Sequence, residues 1–190
     1  IMRHGKSTPL FPDILMHKTT IAVVAVLCAG FLVLDVGRTA FLPVVATLAK
    51  KPPGKTALMR YREHQWRLTG KHVHIVQKWA PLREISPYLV KAVVIAEDDK
   101  FWTHRGFDFE AMEKALKKDL KSRRFLAGGS TISQQLAKNL YLSPVRSPLR
   151  KAKEAILTLR LERTLSKRRI MELYLNVAEW GDGIFGADAA

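Results

Sequence analysis

The sequence has a single cysteine, Cys28, which excludes an internal disulfide and leaves no thiolate metal site. Outside the cytoplasm such a chain has to be held by packing alone. It also lacks a His-Glu-x-x-His motif, and His72-x-His74 has the alternation of a strand, not a metal-ligand spacing on a helix. Acidic residues are scarce, with 17 Asp and Glu against 32 Lys and Arg and a formal charge of +15. An excess of that size implies polyanionic company, whether nucleic acid, phospholipid headgroups or a phosphorylated substrate, and charge alone does not choose among them.

Long apolar runs are lacking too, with one exception. Residues 21–34 read IAVVAVLCAGFLVL, fourteen positions without a charge, followed by Asp35. A helix crossing a bilayer takes about 20 apolar residues, so the run reaches that length only with Thr19, Thr20 and Val36 added. A cleaved signal peptide is the competing reading. No small-x-small site follows, and Cys28 comes after Leu27, which disfavours lipoprotein processing. The expectation is an uncleaved transmembrane anchor over 19–37, after a disordered cytoplasmic tail over 1–18. Arg3, Lys6 and Lys18 are balanced by Arg38, Lys50 and Lys51, so flanking charge leaves the orientation open.

Residues 38–54 end in Lys50-Lys51-Pro52-Pro53-Gly54, a linker composition, and the folded domain is expected over 55–190. Its 47% hydrophobic background suffices for one core. Residues 72–76 alternate as a strand, and everything after them looks helical. Ser86-Pro87 opens a helix ending near Asp99, and a helix over 109–124 turns Ala111, Ala115 and Leu116 inward and its lysines outward. Ser130 is expected to cap a helix to about Leu140, Ser147-Pro148 one to about Leu165, and Ser166 a last one. In that last helix Ile170, Leu173, Tyr174 and Val177 form one apolar stripe.

Three features point to chemistry. Glu97, Asp98 and Asp99 end an apolar helix, where the macrodipole disfavours acids, and such violations gather at functional sites. Burial there would suit a general base, whereas a solvated turn paired to Lys100 and Arg105 is the plainer alternative. Gly128-Gly129-Ser130-Thr131 runs into a helix N-terminus, a geometry that presents N–H groups to an anion. Thr131, Gln134, Gln135 and Lys138 then share one side of the helix, suited to sugar hydroxyls and a pyrophosphate, or else simply facing solvent. Arg150 and Glu154 have the spacing of an ordinary surface ion pair. The basic run 117–124 has no interleaved stacking aromatics, so a solvated or membrane-facing helix fits better than a nucleic-acid patch.

Taken in order, five blocks resemble the peptidoglycan glycosyltransferase family. They are Glu97-Asp-Asp-Lys-Phe-Trp-Thr-His104-Arg-Gly106, Gly128-Gly-Ser-Thr-Ile-Ser-Gln-Gln-Leu-Ala-Lys138-Asn139, Arg150-Lys-Ala-Lys-Glu154-Ala, residues 167–176 ending in Glu172-Leu-Tyr-Leu-Asn176, and Gly181-Asp-Gly-Ile-Phe-Gly186-Ala. The resemblance covers about residues 81–190, and the second block is the most specific. It implies a mainly α, lysozyme-like domain with a cleft and a small membrane-facing jaw, preceded by one transmembrane helix. The chain would be monofunctional, and truncated after the fifth block where the family domain usually continues.

The resemblance further implies polymerisation of lipid II, an undecaprenyl-pyrophosphoryl disaccharide pentapeptide, into β-1,4 glycan. Glu97 would be the general base, and Glu154 would orient or stabilise the donor end. Lys138, Arg146 and Arg150 would bind pyrophosphate. Asp98, Phe101, His104, Gly128, Gly129, Ser130, Thr131, Gln134, Gln135 and Asn139 complete the expected substrate-binding set. No cofactor is required, although a divalent Mg or Mn ion near Asp98 could share the phosphate charge. The expected partners are lipid II, the growing lipid-linked glycan, the membrane and cell-wall synthesis or division proteins, without nucleic acid. The catalytic domain would be periplasmic, on a single-pass protein of the inner membrane. The rivals are a lysozyme-like hydrolase of finished peptidoglycan, and a non-enzymatic basic protein that binds nucleic acid or membrane.

Overall fold

The computed structural model describes residues 11–41, 45–122 and 128–190. The chain divides into two compact units, Ile1–Arg38 and Thr39–Ala190.

The first unit is built on helix α1, Phe11–Phe41. Residues 1–10 of the expected disordered tail lie outside the described residues, but from Phe11 onward that tail is helical. Pro12 falls in the first turn, where a missing N–H costs nothing, and the helix then propagates without a breaker into the apolar run. Ile21, Val23, Val26, Leu27, Phe31 and Val33 are all exposed. The expected transmembrane span over 19–37 is corrected here: among the described residues no helix is long and apolar enough to cross a membrane. The fourteen uncharged residues rise about 21 Å at 1.5 Å each, short of a hydrocarbon core of about 30 Å.

The second unit is mainly helical. It begins earlier than expected, because part of the supposed linker is core: a 3₁₀ turn, Val45–Ala49, buries Val45 and Leu48. Arg169 fixes this turn by donating from Nε to the Leu48 carbonyl at 2.6 Å and from Nη2 to that of Lys51 at 2.9 Å. Helix α2, Ala57–Leu68, carries no strong apolar period and is absent from the sequence reading. A capping box does mark its start, with Thr56 accepting from the Met59 N–H and the Met59 sulfur accepting from the Thr56 N–H.

The expected strand over 72–76 shrinks to β1, Val76–Gln77. Alternation makes a strand only where a partner exists, and the partner here is two residues long. It belongs to a hairpin that sequence reading missed, β2 (Glu179–Gly181) and β3 (Ile184–Phe185). The sheet order is β1-β3-β2, with Val76 paired to Ile184 in parallel and β2 antiparallel to β3. Arg62 on α2 pairs with Glu179 at 2.6 Å, tying the sheet to the helix before it.

The remaining helices are α3 (Pro87–Glu97), α4 (Phe109–Ser122), α5 (Ile132–Tyr141), α6 (Pro148–Thr164) and α7 (Lys167–Val177). Their existence follows the cap-and-proline signals closely. In α4, however, Leu116 is exposed with Phe109 and Leu120, where an inward Leu116 was expected. Helix α5 is central and packs on α2, α6 and α7. Ile132, Leu136 and Ala137 are wholly buried, as are Ile170, Met171, Leu173, Leu175 and Val177 of α7. Seven of ten residues of α5 are buried, so the picture of a helix with one solvent-facing polar side is overturned.

Asn176 joins α7 to the chain leading into α3. Buried completely, it accepts from the Ala80 N–H and donates to the Ala80 and Glu172 carbonyls, each at 2.8 Å. Replacing it with Ala strands two buried backbone groups at Ala80. Urea unfolding of Asn176→Ala should show a loss of about 2–4 kcal/mol, against less than about 1 kcal/mol for a surface change such as Lys114→Ala.

Candidate active site

A closed ring of hydrogen bonds joins the end of α3 to the start of α5. Asp98 is buried, and its carboxylate lies against His104 Nε2 at 2.9 and 3.0 Å while accepting the Ile132 N–H at 3.0 Å. His104 Nδ1 accepts the Gly106 N–H at 3.0 Å, which places the ring proton on Nε2, aimed at Asp98. The Gly106 carbonyl accepts from the Thr131 hydroxyl at 2.7 Å, and Thr131 precedes Ile132. A carboxylate on the first N–H of a helix is favoured by the dipole. Gly106 has φ +94°, and a Cβ there would sit 2.9 Å from Thr158 Cγ2, so glycine is required on both counts.

The cap of α5 lies one residue beyond Ser130. Thr131 Oγ1 accepts the Gln134 N–H at 3.2 Å, and Gln134 Oε1 accepts the Thr131 N–H at 2.9 Å. The Thr-x-x-Gln pattern of a capping box was present in the sequence and distinguishes Thr131 from Ser130. Gly129 lies against α4, where a Cβ would stand 3.2 Å from Ala115 Cβ and 3.3 Å from Met112 Cα.

Freed from capping, Gln135 and Lys138 face a cavity of about 990 Å³ that also takes in Glu97, Gly128, Ser130, Arg146, Arg150, Lys151 and Glu154. Glu97, the last residue of α3, is exposed rather than buried as a general base was expected to be, and accepts from Gln135 Nε2 at 2.8 Å. Glu154 is buried, with Arg150 Nη1 and Lys151 Nζ each 2.5 Å from its carboxylate. The Arg150–Glu154 pair is thus no surface pair, and Lys151 reaches on to Ser130 Oγ at 3.0 Å. Arg150 Nε is buried and, among the described residues, has no hydrogen-bond partner. Burial lowers the Lys138 pKa below that of an ordinary lysine; Glu154 opposes this, Arg150 and Lys151 reinforce it, and Glu97 opposes it more weakly.

Of the expected site residues, eight line this cavity: Glu97, Gly128, Ser130, Gln135, Lys138, Arg146, Arg150 and Glu154. Asp98, Gly129 and Thr131 line a smaller cavity beside it that shares Glu97, Gly128 and Ser130. Phe101 is wholly buried, with Lys167 Nζ 4.5 Å above its ring, and Asn139 is buried away from the lining. Asp98, His104, Thr131 and Gln134 spend their polar atoms on the ring and the cap. Lys151 was missed, although its three-residue spacing from Glu154 was visible; Ala96, Pro144, Ser147 and Pro148, which complete the wall, left no such signal. A divalent ion near Asp98 would find both carboxylate oxygens already accepting hydrogen bonds. Among the described residues no group of three or more His, Cys, Asp or Glu side chains is placed to hold a metal.

The transglycosylase family model matches residues 67–190, a stretch that contains both the ring and the cavity. The chain belongs to the transglycosylase family. A biosynthetic peptidoglycan transglycosylase of Dechloromonas aromatica is 53% identical over 138 residues, covering 73% of this chain and 60% of that protein. Proteins of the same name from Azoarcus sp. and Chromobacterium violaceum are 47% identical over 164 residues and 42% identical over 175. These alignments cover 86% and 92% of this chain, and 71% and 75% of those proteins. The chain therefore spans about three fifths of the length of the first relative and about three quarters of the last.

Two measurements follow for this transglycosylase fold. Asp98→Ala leaves His104 Nε2–H and the Ile132 N–H without an acceptor, and denaturant unfolding should show a loss of about 2–4 kcal/mol. Burial pushes the Tyr174 phenol up from its ordinary 10.0 to about 12, with Glu97 adding to the shift, and burial does the same for Tyr141 against the opposition of Arg160. Raised folded values favour the neutral phenols. Their contribution to stability is complete below pH 10 and is lost as the pH rises through about 12. Stability should fall across that window, less steeply in Tyr174→Phe, and ultraviolet titration should find two tyrosines ionising near pH 12.

Proposed function

We propose that the protein polymerises a lipid-linked disaccharide, of the lipid II type, into β-1,4 glycan by a single inverting displacement. The observation that carries this reading is the sharing of one cavity by the Glu97 carboxylate and four cations, Lys138, Arg146, Arg150 and Lys151. A pyrophosphate leaving group needs positive charge more than it needs a proton, because its own basicity is low. The unpartnered Arg150 Nε–H supports an anion at this end, since an oxygen there would satisfy a buried donor. Glu154 holds Arg150 and Lys151 in place while remaining beneath them.

At the other end Glu97 takes the proton of an acceptor sugar hydroxyl as its oxygen attacks the anomeric carbon. The bond to pyrophosphate breaks on the opposite face, and the anomeric centre inverts. A peptidoglycan hydrolase would gain little from four cations, and the relatives are named as biosynthetic enzymes.

The proposed workplace is the outer face of the bacterial inner membrane, where a lipid-tailed substrate is confined. Helix α1 exposes Ile21, Val23, Val24, Leu32, Val33 and Leu34 around its girth, which suits an apolar medium. Helix α4 exposes Phe109, Leu116 and Leu120 in one stripe flanked by Lys117, with Lys114 and Lys118 further round, the candidate for the membrane-facing jaw. A lysozyme-like arrangement of cleft and jaw, and association with other wall-synthesis proteins, belong to the same proposal.

Detergent-solubilised protein given labelled lipid-linked disaccharide pentapeptide should make polymer. Glu97→Gln should make at least about 100-fold less, the ordinary worth of a general base. Equal polymer from both would remove Glu97 from the chemistry.

A further inference from the structure

The Glu97 carboxylate ends a helix, is exposed, and sits on a side chain with three rotatable bonds. A base in that situation spends most of its time misdirected unless something holds it. Among the described residues, Gln135 is the one side chain that hydrogen-bonds it, through Nε2 at 2.8 Å. An amide holds a carboxylate only in one of its two orientations, since the flipped form would point oxygen at oxygen. What fixes the amide is on its other side: Tyr174 donates its hydroxyl to Gln135 Oε1 at 3.3 Å.

We propose that Tyr174 is a positioning residue for Glu97, acting through Gln135. The inference rests on the reading of Glu97 as the base. Tyr174 is buried, on a helix whose Met171, Leu173, Leu175 and Val177 have no exposure at all, so its hydroxyl is a fixed point. Gln135 is half-buried at the edge of the cavity, between that fixed point and the exposed carboxylate. The relay runs from α7 through α5 to α3 and carries the rigidity of the core to a group that must itself stay open to substrate. Burial also keeps the phenol protonated well beyond neutral pH, so it remains a donor throughout the working range.

A purely structural tyrosine makes a different prediction, because its hydroxyl would act on the fold and not on Gln135. A double-mutant cycle separates the two. Polymerisation kinetics would be measured for the parent, Tyr174→Phe, Gln135→Leu and the double variant, with thermal midpoints for all four and Glu97→Gln as the reference for the base. Tyr174→Phe should lower kcat by about 3- to 10-fold, the usual scale of one hydrogen bond, and leave KM unchanged. In the Gln135→Leu background the same substitution should change kcat by less than about 2-fold, because the relay is already broken.

The proposal is overturned if Tyr174→Phe matches the parent, if it acts through KM, or if it lowers kcat equally in both backgrounds. Should Tyr174→Phe melt early, Gln135→Leu carries the test alone, and a parent-like kcat there ends the proposal. A Glu97→Gln variant as active as the parent would instead sink the reading of the base, an outcome distinct from a failed relay.

Discussion

The Asp98 carboxylate on the first turn of α5 is the interaction from which the rest of the site follows. Buried and negative, it is tolerable only because His104 and the Ile132 N–H both donate to it and because the helix dipole favours it. Its neighbour in sequence, Glu97, is thereby delivered to the rim of a cavity whose wall is α5 itself. One residue is sunk to hold two helices together, and its neighbour is left exposed at the cavity, held by Gln135. Gly106 and Gly129 lie close to Thr158 and to α4 at distances that leave little or no room for a Cβ.

Around that anchor the charges divide by burial. Glu154 lies beneath Arg150 and Lys151 and sets where they point, while Lys138 rises from the central helix into the same space. The result is one end rich in fixed positive charge and one exposed carboxylate steadied by an amide. Preorganisation of this kind stabilises developing charge without waiting for groups to move. Among the described residues nothing accepts from the buried Arg150 Nε at this end, which is the feature the proposed anion would satisfy.

Much of this was legible in the sequence, but at the level of which residues matter more than what each does. The helices announced themselves through Ser147-Pro148, Ser166 and the stripe on α7, because caps and periods are local. Glu97 stood out as an acid at a helix end, which breaks a rule visible along the chain, whereas Lys138 and Arg150 were assigned to the site by the family resemblance. The roles of Asp98, His104, Thr131 and Gln134 could not be read that way. Their partners lie across the fold, as with Asp98 and Ile132, 34 residues apart, and only packing shows that they do not line the larger cavity. At Glu97 the sequence left a buried base and a solvated turn both open, and the side chain is exposed. The small sheet stayed hidden since Val76 and Ile184 each make sense only against the other.

The central claim is a single displacement, with Glu97 as base and the cations of the same cavity receiving pyrophosphate. The configuration of the newly made glycosidic bond tests it most directly, because one displacement inverts an α-linked donor and two displacements retain it. Nuclear magnetic resonance of the polymer made from α-linked lipid-linked disaccharide should show β linkages throughout. New α linkages would require a covalent glycosyl intermediate and would contradict the account.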